Sequence, residues 1–176
     1  DGWFEIGPTD GIVRVADSLA VDFETAATCT LTVTSLSDDG STSTASFDVQ
    51  ITDYDEFDVT QPVDDNDDDN EITEDASAGT TANITASSND ADGTTNAVTY
   101  SIVSQTCTGA FTIDTSSCYV SVASSSAIDY EAASTCAITI RATSADGSTG
   151  DSTFVVEITD VNDIAPQYVA TDANPE

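Results

Sequence analysis

Val156-Glu157-Ile158-Thr159-Asp160-Val161-Asn162-Asp163-Ile164-Ala165-Pro166 is the stretch on which the reading of this chain turns. Its opening alternates: Phe154, Val156 and Ile158 share one phase, and Thr153, Val155 and Glu157 the other. That is the period of a half-buried β-strand. The strand runs straight into three oxygen-bearing side chains, Asp160, Asn162 and Asp163, and Pro166 ends regular pairing. Oxygens held at the mouth of a rigid strand suit a hard cation such as Ca2+. Taken alone, the same residues also read as a solvated acidic loop, so the rest of the chain decides.

Charge narrows the choice. The 176 residues include 33 acidic and two basic ones, Arg14 and Arg141, with no His, for a formal charge of -31. Such a chain repels nucleic acid and anionic lipid, and both are set aside as partners. High charge can signal disorder. Here 39% of residues are hydrophobic and fall in regular alternating runs, which predicts a folded chain. Carboxylates about 5 Å apart repel by roughly 0.8 kcal/mol even in bulk water, so clusters of them need separation, protons or a cation. Four cysteines without a Cys-x-x-Cys pair point to disulfides and an oxidising, extracellular setting. Ser and Thr make up about a quarter of the chain, well above ordinary usage. No apolar run approaches the ~18 residues of a membrane helix, so direct membrane insertion of this segment is not expected.

The chain repeats itself. Phe4-Glu5-Ile6 resembles Phe111-Thr112-Ile113, Asp22-Phe23-Glu24 resembles Asp129-Tyr130-Glu131, Cys29 matches Cys136, and Ile51-Thr52-Asp53 matches Ile158-Thr159-Asp160. All pairs share an offset of 107, and without gaps 24 of the first 57 residues equal their partners. Two tandem copies of a ~107-residue module follow. Residues 1–60 read as the C-terminal two-thirds of a module, 61–71 as an acidic linker, 72–166 as a complete module, and 167–176 as a linker into a next one. On this reading the chain is a window on a longer array.

Each module carries short alternating runs bounded by Gly, Asp or Ser, and no segment of useful length has helical period. The complete copy offers seven such strands with turn signals about every ten residues, the mark of a β-sandwich. The run Gln61-Pro62-Val63-Asp64-Asp65-Asn66-Asp67-Asp68-Asp69-Asn70-Glu71 reads as a self-repelling linker, with added cation binding as the alternative. Asn83-Ile84-Thr85 is an N-glycosylation sequon.

Six pieces now stand in order: Ile72-Thr73-Glu74-Asp75; Asp90-Ala91-Asp92; Asn96-Ala97-Val98-Thr99-Tyr100-Ser101-Ile102; Phe111-Thr112-Ile113-Asp114; Asp129-Tyr130-Glu131; and Asp160-Val161-Asn162-Asp163 with Ala165-Pro166. Together they resemble a cadherin repeat, over residues 72–166 in full and 4–57 in part. The resemblance implies an all-β chain of tandem Ig-like Greek-key seven-strand sandwiches, the first one incomplete. It also implies Ca2+ shared where one module meets the next. Glu74, Asp129, Glu131, Asp160, Asn162 and Asp163 would form the lower half-site of the complete module. Asp90, Asp92 and Asn96 would form its upper half-site, and Asp22, Glu24, Asp53, Asp55 and Glu56 the other side of that junction. Some positions depart from the family. Ile164 and Phe57 stand where Asn is usual, and Ser144 and Ser37 where Asp is usual, with Asp146 and Asp39 two residues later. One to three ions are expected at the first junction.

The resemblance also bears on the cysteines. In the family's sandwich the strands carrying Cys107 and Cys136 are antiparallel neighbours, which supports that pair. Cys107 with Cys118 is the rival, and the repeat would place the partner of Cys29 at position 0. The functional expectation is a structural or adhesive segment of an extracellular, cell-surface array, stiffened by Ca2+, glycosylated, and forming a rod or filament. Its partners would be neighbouring modules, copies of the same protein and glycans. The alternative is a carbohydrate- or ligand-binding sandwich with incidental calcium, though the single Trp3 has no counterpart at Ala110 and reads as packing. An enzyme is not expected: no His, Lys or nucleophile–base arrangement supports catalysis.

Overall fold

The structure, a computed structural model, describes residues 2–115 and 117–165. The tail 167–176, read as a linker, lies outside them. The chain is all-β, with a single short 3-10 turn at Ser125–Ala127 among the described residues. It divides into two compact units. The first gathers the chain up to Val59 with Asn89–Ala97 and Ser144–Ser148; the second takes Thr60–Ser88, Val98–Thr143 and the chain from Thr149 on.

The first unit holds two hairpins. Strands β1 (Phe4–Ile6) and β2 (Val13–Val15) pair antiparallel, as do β3 (Thr28–Leu36) and β4 (Thr42–Gln50). The turn joining β3 to β4 is built by Asp39-Gly40. Gly40 sits at φ 85°, a left-handed conformation that costs glycine little, and the Asp39 carboxylate accepts the Ser41 N–H at 2.9 Å. Thr28, Thr30, Thr32 and Thr34 on β3 bond across to Gln50, Asp48, Ser46 and Thr44 on β4, so one face of this hairpin is a polar ladder.

The second unit is a complete sandwich. Its strands are β5 (Val63–Asp64), β6 (Glu71–Thr73), β7 (Thr81–Ser87), β8 (Thr99–Gln105), β9 (Phe111–Ile113), β10 (Tyr119–Val122), β11 (Thr135–Thr143) and β12 (Thr149–Thr159). One sheet runs β5-β7-β10-β9 and the other β6-β12-β11-β8. Alternation sends every second residue inward. Ala82, Ile84 and Ala86 of β7, Val120 and Val122 of β10, Cys136, Ile138 and Ile140 of β11, and Val156 and Ile158 of β12 are buried. The seven expected strands become eight segments because the opening one is split. Val63 pairs with Ser87 in one sheet, while Ile72 runs parallel to Ile158 in the other.

This split alters the picture of residues 61–71, which the sequence suggests as a self-repelling linker. Both ends of that run are sheet strands of the second unit. Its middle is tied down as well: the Asp65 N–H donates to the Thr85 carbonyl, the Asn83 side-chain amide to the Asp69 carbonyl, and the Glu157 N–H to the Asn70 carbonyl. Backbone bonds of this kind hold a segment whose side chains alone would extend it.

Cys107 and Cys136 are joined by a disulfide with a Cα–Cα distance of 5.6 Å, while Cys29 and Cys118 are free. Asn83, the sequon residue, stands in β7 at φ 58°, where β7 and β10 slip register between Thr81 and Thr85. The left-handed backbone suits an Asn at such a bulge. Asn83→Ala is expected to lower stability by about 1 kcal/mol, through loss of the Asp69 bond and strain at a left-handed Ala. Chemical denaturation of the unglycosylated chain reads this directly.

Candidate metal centre

Three short segments bring carboxylates together with Glu24 within the first unit. After β4 the chain continues through Asp53, Asp55 and Glu56 without regular pairing. The loop Asn89–Ala97 brings Asp90 and Asp92, and the turn Ser144–Ser148 brings Asp146. Glu24, Asp53 and Asp92 each place a carboxylate oxygen within 4.8 Å of the others, and so do Asp55, Asp92 and Asp146. Asp92 is common to both groups and is 2% exposed.

The bonds around Asp92 show what it lacks. Its Oδ1 accepts the backbone N–H groups of Glu56 at 3.2 Å and Phe57 at 3.4 Å. Among the described residues its Oδ2 has no partner, and neither does Oδ1 of Asp53. A buried carboxylate oxygen without a partner is costly. At 4.8 Å two like charges repel by about 3.5 kcal/mol for an effective dielectric near 20. Two orphaned acceptors amid five carboxylates therefore fit a hard cation with oxygen ligands.

Local bonds aim these side chains. The Asn96 amide donates to the Asp92 carbonyl at 2.7 Å and shapes the loop. The Gly93 N–H donates to Glu24 Oε1 at 2.7 Å, and the Thr94 hydroxyl donates to Asp53 Oδ2. Asp22 accepts the Glu24 and Thr25 N–H groups and the Thr25 hydroxyl, so it holds the turn that presents Glu24. Those bonds, the Thr25 hydroxyl first, keep its carboxyl below the usual range. Gly93 leaves no room for a side chain: a Cβ there would lie 2.5 Å from the Phe23 ring and 2.9 Å from Glu24 Oε1. Gly93→Ala is expected to push Glu24 off the cluster and weaken metal affinity about tenfold, read by calorimetric titration with Ca2+.

Asp90 behaves otherwise than the sequence suggests. Its two oxygens are occupied, one by the Ser144 hydroxyl and one by the Asp92 N–H at 3.1 Å. It braces the loop, and the carboxylate that joins the cluster is Asp146, outside the predicted set. The Ser148 N–H at 2.7 Å fixes Asp146 and, as the leading cause, keeps its carboxyl low.

The second unit carries a second cluster. Glu74, Glu131 and Asp160 place carboxylate oxygens within 4.8 Å of one another. Glu74 is buried, and its two oxygens accept the Val161 N–H at 2.6 Å and the Tyr130 N–H at 2.8 Å. Glu131 is pushed up, by burial first and then by the charges of Glu74, Asp163 and Asp160. Asp129 and Asp163 line a cavity of about 230 Å³ with Glu74. Asn162 is exposed.

Proton uptake gives a signature. Asp55 is pushed up to about 6 from 3.8, first by the close approach of the Asp92 carboxylate, then by burial and by the charges of Asp146, Asp92 and Asp90. Glu56 is raised too, by burial first and then by Glu24, Asp92, Asp53 and Asp22. A carboxyl with a raised folded pKa destabilises the fold while ionised, and that penalty lifts as pH falls through the folded value toward the unfolded one. The metal-free chain is therefore expected to gain stability from pH 7 down to about 4. With Ca2+ bound the trend reverses, because protons compete for the same oxygens. Unfolding midpoints across that pH window, in Ca2+ and in chelator, check both signs.

Residues 69–159, more than half of the chain, match the family model described as Cadherin domain. Among solved structures the chain is similar to the crystal structure of human CDH23 EC21-23, with 24% identity and a TM-score of 0.76 over 92% of this chain and 52% of that one. It is similar to mouse Cadherin-23 EC22-24, with 22% identity and a TM-score of 0.71 over 93% and 52%. It is also similar to the Protocadherin gammaB7 EC3-6 cis-dimer structure, with 20% identity and a TM-score of 0.74 over 99% and 43%. At these identities the likeness is one of fold, and the chain spans about half or less of those structures' own chains. No curated protein matches the chain.

Proposed function

We propose, from the premise that this chain belongs to the cadherin domain family, that it is a segment of a Ca2+-stiffened, glycosylated rod or filament at the cell surface. The family's modules are extracellular, adhesive and non-enzymatic. The observation that carries the reading is Asp92, a buried carboxylate with an unpartnered oxygen amid Glu24, Asp53, Asp55 and Asp146. Bound Ca2+ would offset the repulsion of these groups and bring them into one rigid body. Glu24, Asp53, Asp55, Asp92 and Asp146 would hold it in the first unit, with Glu56 adjacent. Glu74, Glu131 and Asp160 would hold it in the second, with Asp129, Asn162 and Asp163 adjacent.

The domain reading is part of this proposal: residues 1–60 belong to one module, 72–166 to the next, and the acidic segment 61–71 joins them. Carboxylates from both sides of that segment enter the cluster around Asp92, so an ion bound there would be held by residues of both stretches. The partners are neighbouring modules or copies of the same protein, with glycan cover at Asn83 and on the Ser- and Thr-rich strands. The strong negative charge and the polar ladder of the first hairpin support a filament or matrix setting.

The test is thermal unfolding with millimolar Ca2+ against chelator, on one sample, with small-angle scattering for particle length. A higher midpoint and a longer particle in Ca2+ are expected. Equal midpoints and equal lengths would sink the reading.

A further inference from the structure

One outer face of the second unit lacks the charge that dominates the chain. In β7 Ala82, Ile84 and Ala86 are buried, so Thr81, Asn83, Thr85 and Ser87 point outward. Tyr119 of β10 stands opposite Thr85, and Val63 of β5 opposite Ser87. Both are outward too, at 51% and 57% exposed. None of these residues is charged, in a chain whose formal charge is -31. The outer face of the other sheet is unlike it: Glu157 lies beside Glu71, and Arg141 pairs with Asp151.

The repeat isolates the change. Thr112 faces Ser121 across β9 and β10, and their counterparts 107 residues earlier, Glu5 and Arg14, face each other across β1 and β2. Two hydroxyls replace that charged pair in the module that carries the chain's one N-glycosylation sequon, Asn83-Ile84-Thr85. The sequon lies on the uncharged face itself. The bulge at Asn83, with φ 58°, sets its side chain apart from the regular pleat. The Asn83 amide nitrogen has two hydrogens. One is donated to the Asp69 carbonyl at 3.0 Å, so a sugar can replace the other while that bond is kept.

We infer that a glycan on Asn83 lies down on this face, its first sugar against the ring of Tyr119, and closes the face to other partners. This rests on the reading of the chain as glycosylated. Adjacent strands lie about 4.8 Å apart, and outward residues along one strand about 6.8 Å, which puts the Tyr119 ring within reach of the first sugars. The ring offers an apolar surface with a polar tip. A pyranose covers it with its C–H face and turns its hydroxyls toward those of Thr81 and Thr85. In the transfer step the Asn83 amide nitrogen attacks the anomeric carbon of an oligosaccharide carried on a lipid diphosphate. The C–N bond forms as the C–O bond to the diphosphate breaks; the lipid diphosphate leaves, and the nitrogen gives up one proton.

The test makes the full chain in a secretory host that glycosylates and in one that does not, each with Tyr119 and with Tyr119→Ser. Peptide mapping reads the occupancy of Asn83, and the glycan is then trimmed to its first sugar. Nuclear Overhauser contacts between that sugar and the Tyr119 ring are expected. Amide exchange over β7 and β10 should be about threefold slower in the occupied chain than in the bare one, the size of one ring contact. Tyr119→Ser should erase that difference. An empty Asn83 overturns both the inference and the glycosylated reading. An occupied Asn83 with no sugar contact on the ring, or with the slowing kept in Tyr119→Ser, overturns the inference alone. Pairing of two occupied chains through Tyr119, or binding of free oligosaccharide there by the occupied chain, overturns it as well.

Discussion

Withdrawal of Ca2+ is expected to lower the unfolding midpoint by roughly 7–14 °C for each cluster emptied. Extracellular Ca2+ modules bind at about 10⁻⁴ to 10⁻³ M. At about 2 mM Ca2+ and the tighter limit, one site contributes about 1.8 kcal/mol of stability, and a small domain's midpoint shifts by about 4–8 °C per kcal/mol. Asp92→Ala separates the two clusters. It removes the carboxylate shared by both groups of the first unit and leaves Glu74, Glu131 and Asp160 untouched. The variant should therefore lose the Ca2+ response of the first unit and keep that of the second. In chelator it should be no less stable than the parent, because it loses a buried, half-partnered charge along with its bonds. A ligand-type loss with no metal-free penalty marks a metal site. A variant equally destabilised in both media would mark Asp92 as scaffold, and the Ca2+ reading of the first unit would fall.

Much of this was legible in the sequence, for a physical reason. A strand buried on one face must alternate, so β3, β4, β11 and β12 stand out as runs of Thr or polar residues interleaved with Val, Ile, Leu or Phe. The 107-residue offset then carries the pattern of one unit onto the other. The two-residue strand β5 is too short to have a period, and its neighbourhood of Asp residues reads as linker. Only the pairing of Val63 with Ser87 reveals it.

The clusters were legible in kind but not in detail. Glu24, Asp53 and Asp92 lie together in one group, and Glu74, Glu131 and Asp160 in another. Asp90 and Asp146 exchange roles because Ser144 stands between them in the bonding. Its hydroxyl takes an Asp90 oxygen, leaving Asp146, two residues on, to face Asp55 and Asp92. Which carboxylate is used by its own loop depends on distances that spacing does not contain.

Loss of the Cys107–Cys136 bond should be the largest single-bond effect on the second unit. The crosslink spans 29 residues. In the chain-entropy account, closing a loop of that size removes about 3.5 kcal/mol of freedom from the unfolded state, within the usual range of about 2–5 kcal/mol. The joined strands are already neighbours: β8 pairs with β11 over Gln105 and Ile138, and the Thr106 N–H donates to the Ala137 carbonyl at 2.9 Å. The bridge therefore closes a geometry that the sheet holds anyway, and its effect falls on the unfolded chain. The double variant Cys107→Ala with Cys136→Ala should fold to the same sheet with a midpoint lower by about 10 °C or more. It should also keep its Ca2+ increment, since Glu74 and Asp160 lie outside the bridged loop of residues 107–136 and only Glu131 lies within it. Denaturant titration with and without Ca2+ reads both numbers at once. If the two losses add, the disulfide and the ion act on separate steps, one restricting the unfolded chain and the other neutralising the folded one. If removing the bridge also abolishes the Ca2+ increment, then the bridge positions Glu131, and the stability of this unit runs through a single coupled element.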